Sequence, residues 1–146
     1  MASGEEDRQT ALQKLSSMTF PERLRAAMRG TREVRAILIR DPNKMITAAV
    51  MSSPKLSEPE VEAFAKMQDL SGDVLRTIGS NRAWLKNYNI VLGLVRNPKT
   101  PLGMTMNLMH RINPKDLAKL SVDRNVPEAL RIAARKKSVN ATSGKE

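Results

Sequence analysis

One histidine, His110, and an absence of cysteine limit what this chain can do as a catalyst. A Ser-His-acid or Cys-His nucleophile needs a general base, and His110 is the single histidine that could serve. It lies in Leu108-Met109-His110-Arg111-Ile112, on a helix flank before a turn, where a surface or boundary histidine is the plainer reading. The seven glycines are scattered, and none fits the G-x-x-x-x-G-K-[ST] loop that cradles phosphates. Glu58, Glu60 and Glu62 could be tried as metal ligands. On a helix, however, residues i and i+2 do not share a face, and Glu58 and Glu60 suit a helix N-terminus. Within the second half, Asp116 and Asp123 are the candidates for the carboxylate of a nuclease- or glycosylase-like site, and both read as exposed helix-end residues. The chain is therefore expected to have no catalytic residues, no metal and no cofactor, and no small-molecule substrate is inferred.

Binding chemistry is better supplied. Residues 1–73 carry 11 Lys+Arg and 11 Asp+Glu, whereas residues 74–146 carry 14 and 4, so the whole net charge of +10 sits in the second half. No acid occurs between Asp73 and Asp116, while Arg76, Arg82, Lys86, Arg96, Lys99, Arg111 and Lys115 do. If these collect on one surface they form an anion-binding strip; scattered, they merely keep the protein solvated. Trp84 and Tyr88 stand four apart beside Arg82 and Lys86. They read either as a stacking platform flanked by cations or as a continuation of the core stripe through Val91 and Val95. Met104, Met106 and Met109 allow the same two readings, an adaptable surface or core filling.

The elements that must position these groups are short helices. A recurring pattern sets an apolar run before polar capping residues and a proline: Leu38-Ile39-Arg40-Asp41-Pro42, Val50-Met51-Ser52-Ser53-Pro54, Leu94-Val95-Arg96-Asn97-Pro98 and Ile112-Asn113-Pro114. Proline suits the first turn of a helix, and Asp, Asn or Ser before it can cap the free amides. Helices are expected to begin at Phe20-Pro21, Thr31, Pro42, the capping-box sequence Ser57-Glu58-Pro59-Glu60, Ser71, Asn81, Thr100-Pro101, Asn113-Pro114 and Pro127. The Asn81–Asn97 stretch reads as one longer helix, and the last helix as ending at Lys137. Ala36–Ile39 and Ile90–Val95 could be strands by pattern alone, but caps and prolines follow them and hairpin signals do not. The fold class is all-α.

A weak internal duplication reinforces this. Sliding residues 46–66 by 44 sets Ile46 on Ile90, Val50 on Leu94 and Pro54-Lys55 on Pro98-Lys99, a spacing in the range of HEAT-type helical pairs. Short elements opening at Asp-Pro or Asn-Pro also resemble the leucine-rich-repeat variant, a bacterial solenoid of short helices. Arg32-Glu33-Val34-Arg35, Arg40-Asp41-Pro42-Asn43-Lys44, Asn81 to Tyr88 and Asn97-Pro98-Lys99-Thr100-Pro101 resemble a small bacterial family of repeat proteins with no assigned activity. The resemblance implies a single-domain α-solenoid and carries no catalytic residues. The expected organisation is a flexible segment over 1–17 with a weak helix, a helical repeat domain over 18–137 and a disordered tail over 138–146.

With no cysteine, a polar, acidic N-terminus and no apolar stretch longer than Ile90–Val95, the chain reads as a soluble cytoplasmic protein without membrane insertion. The expected function is that of a non-catalytic adaptor. It would engage an acidic surface of a protein partner through Arg76, Arg82, Trp84, Lys86, Tyr88, Arg96, Lys99, Arg111 and Lys115. Sequence-independent nucleic-acid binding by the same strip is the alternative.

Overall fold

The computed structural model describes residues 12–143, with side chains to residue 140. The fold is all-α, with no strand among the described residues. Helix α1 is described over residues 12–16, and residues 1–11 lie outside the described part. There follow α2 (Phe20–Arg29), α3 (Arg32–Leu38), α4 (Lys44–Ser52), α5 (Glu58–Lys66), α6 (Gly72–Gly79), α7 (Tyr88–Arg96), α8 (Leu102–Leu108), α9 (Pro114–Leu120) and α10 (Glu128–Ser143). Single 3-10 turns occupy Trp84–Lys86 and Met109–Arg111. No helix among the described residues is long and apolar enough to cross a membrane.

Helix starts follow the capping chemistry. The side chains of Thr19, Thr31, Asn43, Ser71, Asn87 and Asn113 each accept a backbone N–H of the first turn they precede. Thr19 and Glu22 make a full capping box that the sequence reading passed over. Its backbone and side-chain hydrogen bonds hold the Glu22 carboxyl below its ordinary pKa. At Ser57 the box is altered. Glu60 reaches back to the Ser57 N–H at 2.9 Å, and the Ser57 hydroxyl donates to the same carboxylate oxygen at 2.9 Å.

Two expectations are corrected. The Asn81–Asn97 stretch is not one helix: Asn87 is extended (φ −88°, ψ 112°) and caps α7, and only a 3-10 turn precedes it. Trp84 and Tyr88 therefore do not share a helical face. The last helix does not stop at Lys137, and residues 138–143 continue it rather than forming a disordered tail. No glycine or proline interrupts residues 128–143, and Ala, Arg and Lys fill its middle, so propagation from α10 costs little. Residues 144–146 lie outside the described part.

By internal contacts the chain groups into two compact units, one ending at Glu60 and the other beginning at Val61. In the first, α2 packs against α3 and α4, burying Ala27, Leu38, Ile39, Ile46 and Val50. Its buried charge is satisfied: the Arg35 guanidinium donates to both oxygens of Glu60 (2.8 and 3.0 Å) and to the Gly30 carbonyl (2.8 Å).

In the second unit α7 lies at the centre, with Ile90, Val91, Leu94 and Val95 buried. It is fastened to α5 near both ends. Asn87 donates to the Glu62 carboxylate at 2.7 Å, and Asn97 donates to the carbonyls of Ala65 and Met67 at 2.9 and 2.8 Å. Between the clamps Gly93 lets the helices approach, since a Cβ there would sit 3.2 Å from that of Ala65. Helix bounds follow the 44-residue offset read in the sequence: α4 and α7 begin at 44 and 88, α5 and α8 at 58 and 102. Ser53 and Asn97, one offset apart, each donate back to an earlier carbonyl and accept the N–H of Lys55 or Lys99.

Candidate functional site

The outward face of α7 is a consequence of its buried one. With Ile90, Val91, Leu94 and Val95 turned inward, Asn89, Leu92, Gly93 and Arg96 recur at i, i+3, i+4 and i+7 on the other side. This stripe forms the floor of a cleft of about 400 Å³. Lys66 and Gln68 from the end of α5 line it, as do Asp123 and Asn125 from the α9–α10 connection. A second hollow of about 230 Å³ shares Leu92, Arg96 and Asp123 and continues along Asp116, Lys119 and Val122.

The walls are held by hydrogen bonds that leave the lining groups available. Asn97 is buried, and its bonds to the carbonyls of Ala65 and Met67 fix the segment that carries Lys66 and Gln68. Asp123 is the hinge of a tight turn, accepting the Asn125 N–H at 2.9 Å. Among the described residues, no hydrogen bond or ion pair engages the side chains of Lys66, Gln68, Asn89, Arg96 or Asn125. The lining thus offers two cations, three carboxamides and one carboxylate around an apolar floor. Carboxamides donate and accept at once, so this set suits a ligand with both kinds of polar group.

Of the nine residues expected to bind a partner, Arg96 alone lines this cleft. Arg76 lies on α6 in an ion pair with Asp73 (2.8 Å) and borders different hollows, with Thr77, Ser80 and Asn81 and with Met104 and Asn107. Arg82, Lys86, Lys99 and Lys115 are exposed, and among the described residues their side chains make no hydrogen bond or ion pair. Arg111 donates to the Leu85 carbonyl at 2.9 Å, bringing it against the Trp84–Lys86 turn. Trp84 is half-buried as the first residue of that turn.

Tyr88 is also half-buried, and its hydroxyl has a structural task. It donates to Asp116 at 2.7 Å and accepts the Asn113 N–H at 3.1 Å, tying the start of α7 to the start of α9. Burial, helped by the Asp116 bond, raises the Tyr88 pKa above its ordinary value. Asp116 and Asp123 are half-buried and accept hydrogen bonds from Tyr88 and Asn125, contrary to their reading as exposed helix ends.

No family model matches this chain, and neither a curated protein nor a solved structure matches it. The function must therefore be argued from its own chemistry.

His110 is exposed, with Nδ1 2.8 Å from the Asn107 carbonyl. Glu60 is consumed by Arg35, and Glu62 by Asn87. Among the described residues no three His, Cys, Asp or Glu side chains gather as a metal site would require. Met109 is buried while Met106 is exposed, so the two fall on different sides although spacing puts them on one face. The break from α8 into a 3-10 turn at Met109 separates them.

Lys66, Gln68, Asn89, Lys119 and Asn125 were missed as site residues, and Asp123 was considered only as a catalytic carboxylate. A signal existed for Asn89, Leu92, Gly93 and Arg96, a stripe of polar and small residues opposite a fully apolar one. None existed for the walls, which come from segments distant in the chain.

Proposed function

We propose that this protein is a non-catalytic α-solenoid that binds an acidic partner protein through the second unit. The observation that carries the reading is charge without internal neutralisation. Residues 61–146 hold 15 Lys+Arg against 7 Asp+Glu. Of the seven cations in the acid-free stretch, Arg76 and Arg111 are engaged internally, while Arg82, Lys86, Arg96, Lys99 and Lys115 are exposed. Exposed cations held apart from carboxylates have no internal ion pair to break on meeting an acidic surface, and they guide its approach. The half-buried Trp84 would add a partly accessible aromatic anchor beside Arg82 and Lys86. The repeated helix bounds at the 44-residue offset support the solenoid, and bacterial origin with a cytoplasmic location remains part of this reading.

Binding of polyglutamate and of random oligonucleotides by the purified full chain, across a salt series, tests the reading. Polyglutamate binding that weakens with salt supports it. Preferential oligonucleotide binding, with log affinity falling linearly in log salt, would replace it with nucleic-acid recognition. Reversal of Arg96 and Lys99 to Glu is expected to weaken polyglutamate binding roughly tenfold.

A further inference from the structure

We propose that the cleft along α7 is a peptide-binding site, taking an extended segment of the partner that carries an acidic side chain. The proposal rests on the acidic-partner reading and adds to it a place and a mode of recognition. The cleft, about 400 Å³, falls within the roughly 300–1,000 Å³ of sites that enclose small ligands. Its carboxamides, Gln68, Asn89 and Asn125, each present a donor and an acceptor, the complement of a peptide group's C=O and N–H. Leu92, half-buried on the floor, offers an apolar contact to a ligand side chain.

The cations are positioned rather than loosely scattered. A Cβ at Gly93 would lie 3.3 Å from Lys66 Cγ, so the Lys66 stem crosses α7 at that glycine, three residues before Arg96. Asn97 grips the carbonyls on either side of Lys66. Two cations whose backbones are held at one cleft can converge on a carboxylate by charge-assisted hydrogen bonds.

A nucleic acid fits this lining less well. Among the described residues no aromatic side chain lines it for base stacking, and Asp123, with Asp116 in the adjoining hollow, would face the phosphates. The same Asp123 carboxylate can accept a peptide N–H.

The test uses the full chain, a short end-capped Glu/Gly peptide and a short oligothymidylate. Amide chemical-shift changes on adding the peptide locate its footprint, and fluorescence anisotropy gives affinities. The footprint is expected at residues 66–68, 89–96 and 123–125. The pair Lys66→Glu and Arg96→Glu should weaken binding about tenfold, and the charge-matched pair Arg82→Glu and Lys86→Glu less than about threefold. Equal losses from both pairs, or a footprint elsewhere, would overturn the cleft while leaving the acidic-partner reading standing. Oligothymidylate bound more tightly on the same footprint would overturn the ligand class. Absence of peptide binding at low salt would overturn both proposals. Should the cleft pair fail to fold, the wild-type footprint alone decides.

Discussion

Arg35 and Glu60 show how a charged pair can sit in the interior of a small helical unit. Both side chains are almost fully buried, and four donors converge on the Glu60 carboxylate: two guanidinium N–H groups, the Ser57 N–H and the Ser57 hydroxyl. Removing one partner strands the other without water, so Arg35→Ala is expected to cost roughly 3–5 kcal/mol in chemical denaturation. A swap of both for leucine should cost far less, since it leaves no orphan charge. The pair also sets a pH dependence. Burial alone would raise the Glu60 pKa, but the bonds from Arg35 and Ser57 outweigh it and hold the carboxyl below its ordinary 4.5. A depressed native pKa stabilises the fold at pH above the unfolded value, and that contribution fades as pH falls below 4.5 through the native one. Wild-type stability should therefore fall in this acid range. Glu60→Gln should be less stable at neutral pH and flatter below 4.5, and an acid limb unchanged by that substitution would refute the assignment.

At the scale of elements, α7 is the organising helix of the second unit, and its attachment to α5 is polar at the ends and steric in the middle. Asn97→Ala would leave the carbonyls of Ala65 and Met67 unpaired in a buried place and remove the acceptor for the Lys99 N–H. The expected loss is about 2–3 kcal/mol. Gly93→Val, which pushes a branched side chain at Ala65 and Lys66, should cost about 1–3 kcal/mol, with Ala65→Gly restoring part of it. Thermal melts of the two variants and the double variant check this. These elements were unevenly legible. Caps at Thr31, Ser71 and Asn113 could be read because they act on residues two or three positions ahead. The break at Asn87 could not, because its side chain both caps α7 and reaches Glu62, 25 residues earlier. The apolar period from Trp84 to Val95 looks continuous without that tertiary bond. The overrun of α10 past Lys137 has the opposite origin: polar composition suggested a tail, while the absence of glycine and proline let the helix continue.

For the whole molecule, charge asymmetry was legible and site geometry was not. A count along the sequence locates the excess of cations, but only tertiary contacts reveal that Arg76 and Arg111 are engaged and that Arg96 faces a cleft with Lys66. The consequence is kinetic as well as structural. A molecule of net charge +10 attracts an acidic partner over a distance set by the Debye length, about 10 Å at 0.1 M salt. Contacts within a cleft, formed after water has left, are screened much less. Association with an acidic polypeptide is therefore expected to slow steeply with salt, by about tenfold or more from low to physiological ionic strength. Dissociation should change only a few-fold over the same range. Stopped-flow measurement of both rates separates the long-range field from the local site. If dissociation instead accelerates as steeply as association slows, the complex is held by diffuse charge alone and the cleft does no holding. If neither rate responds to salt, the cations of the second unit have no part in recognition.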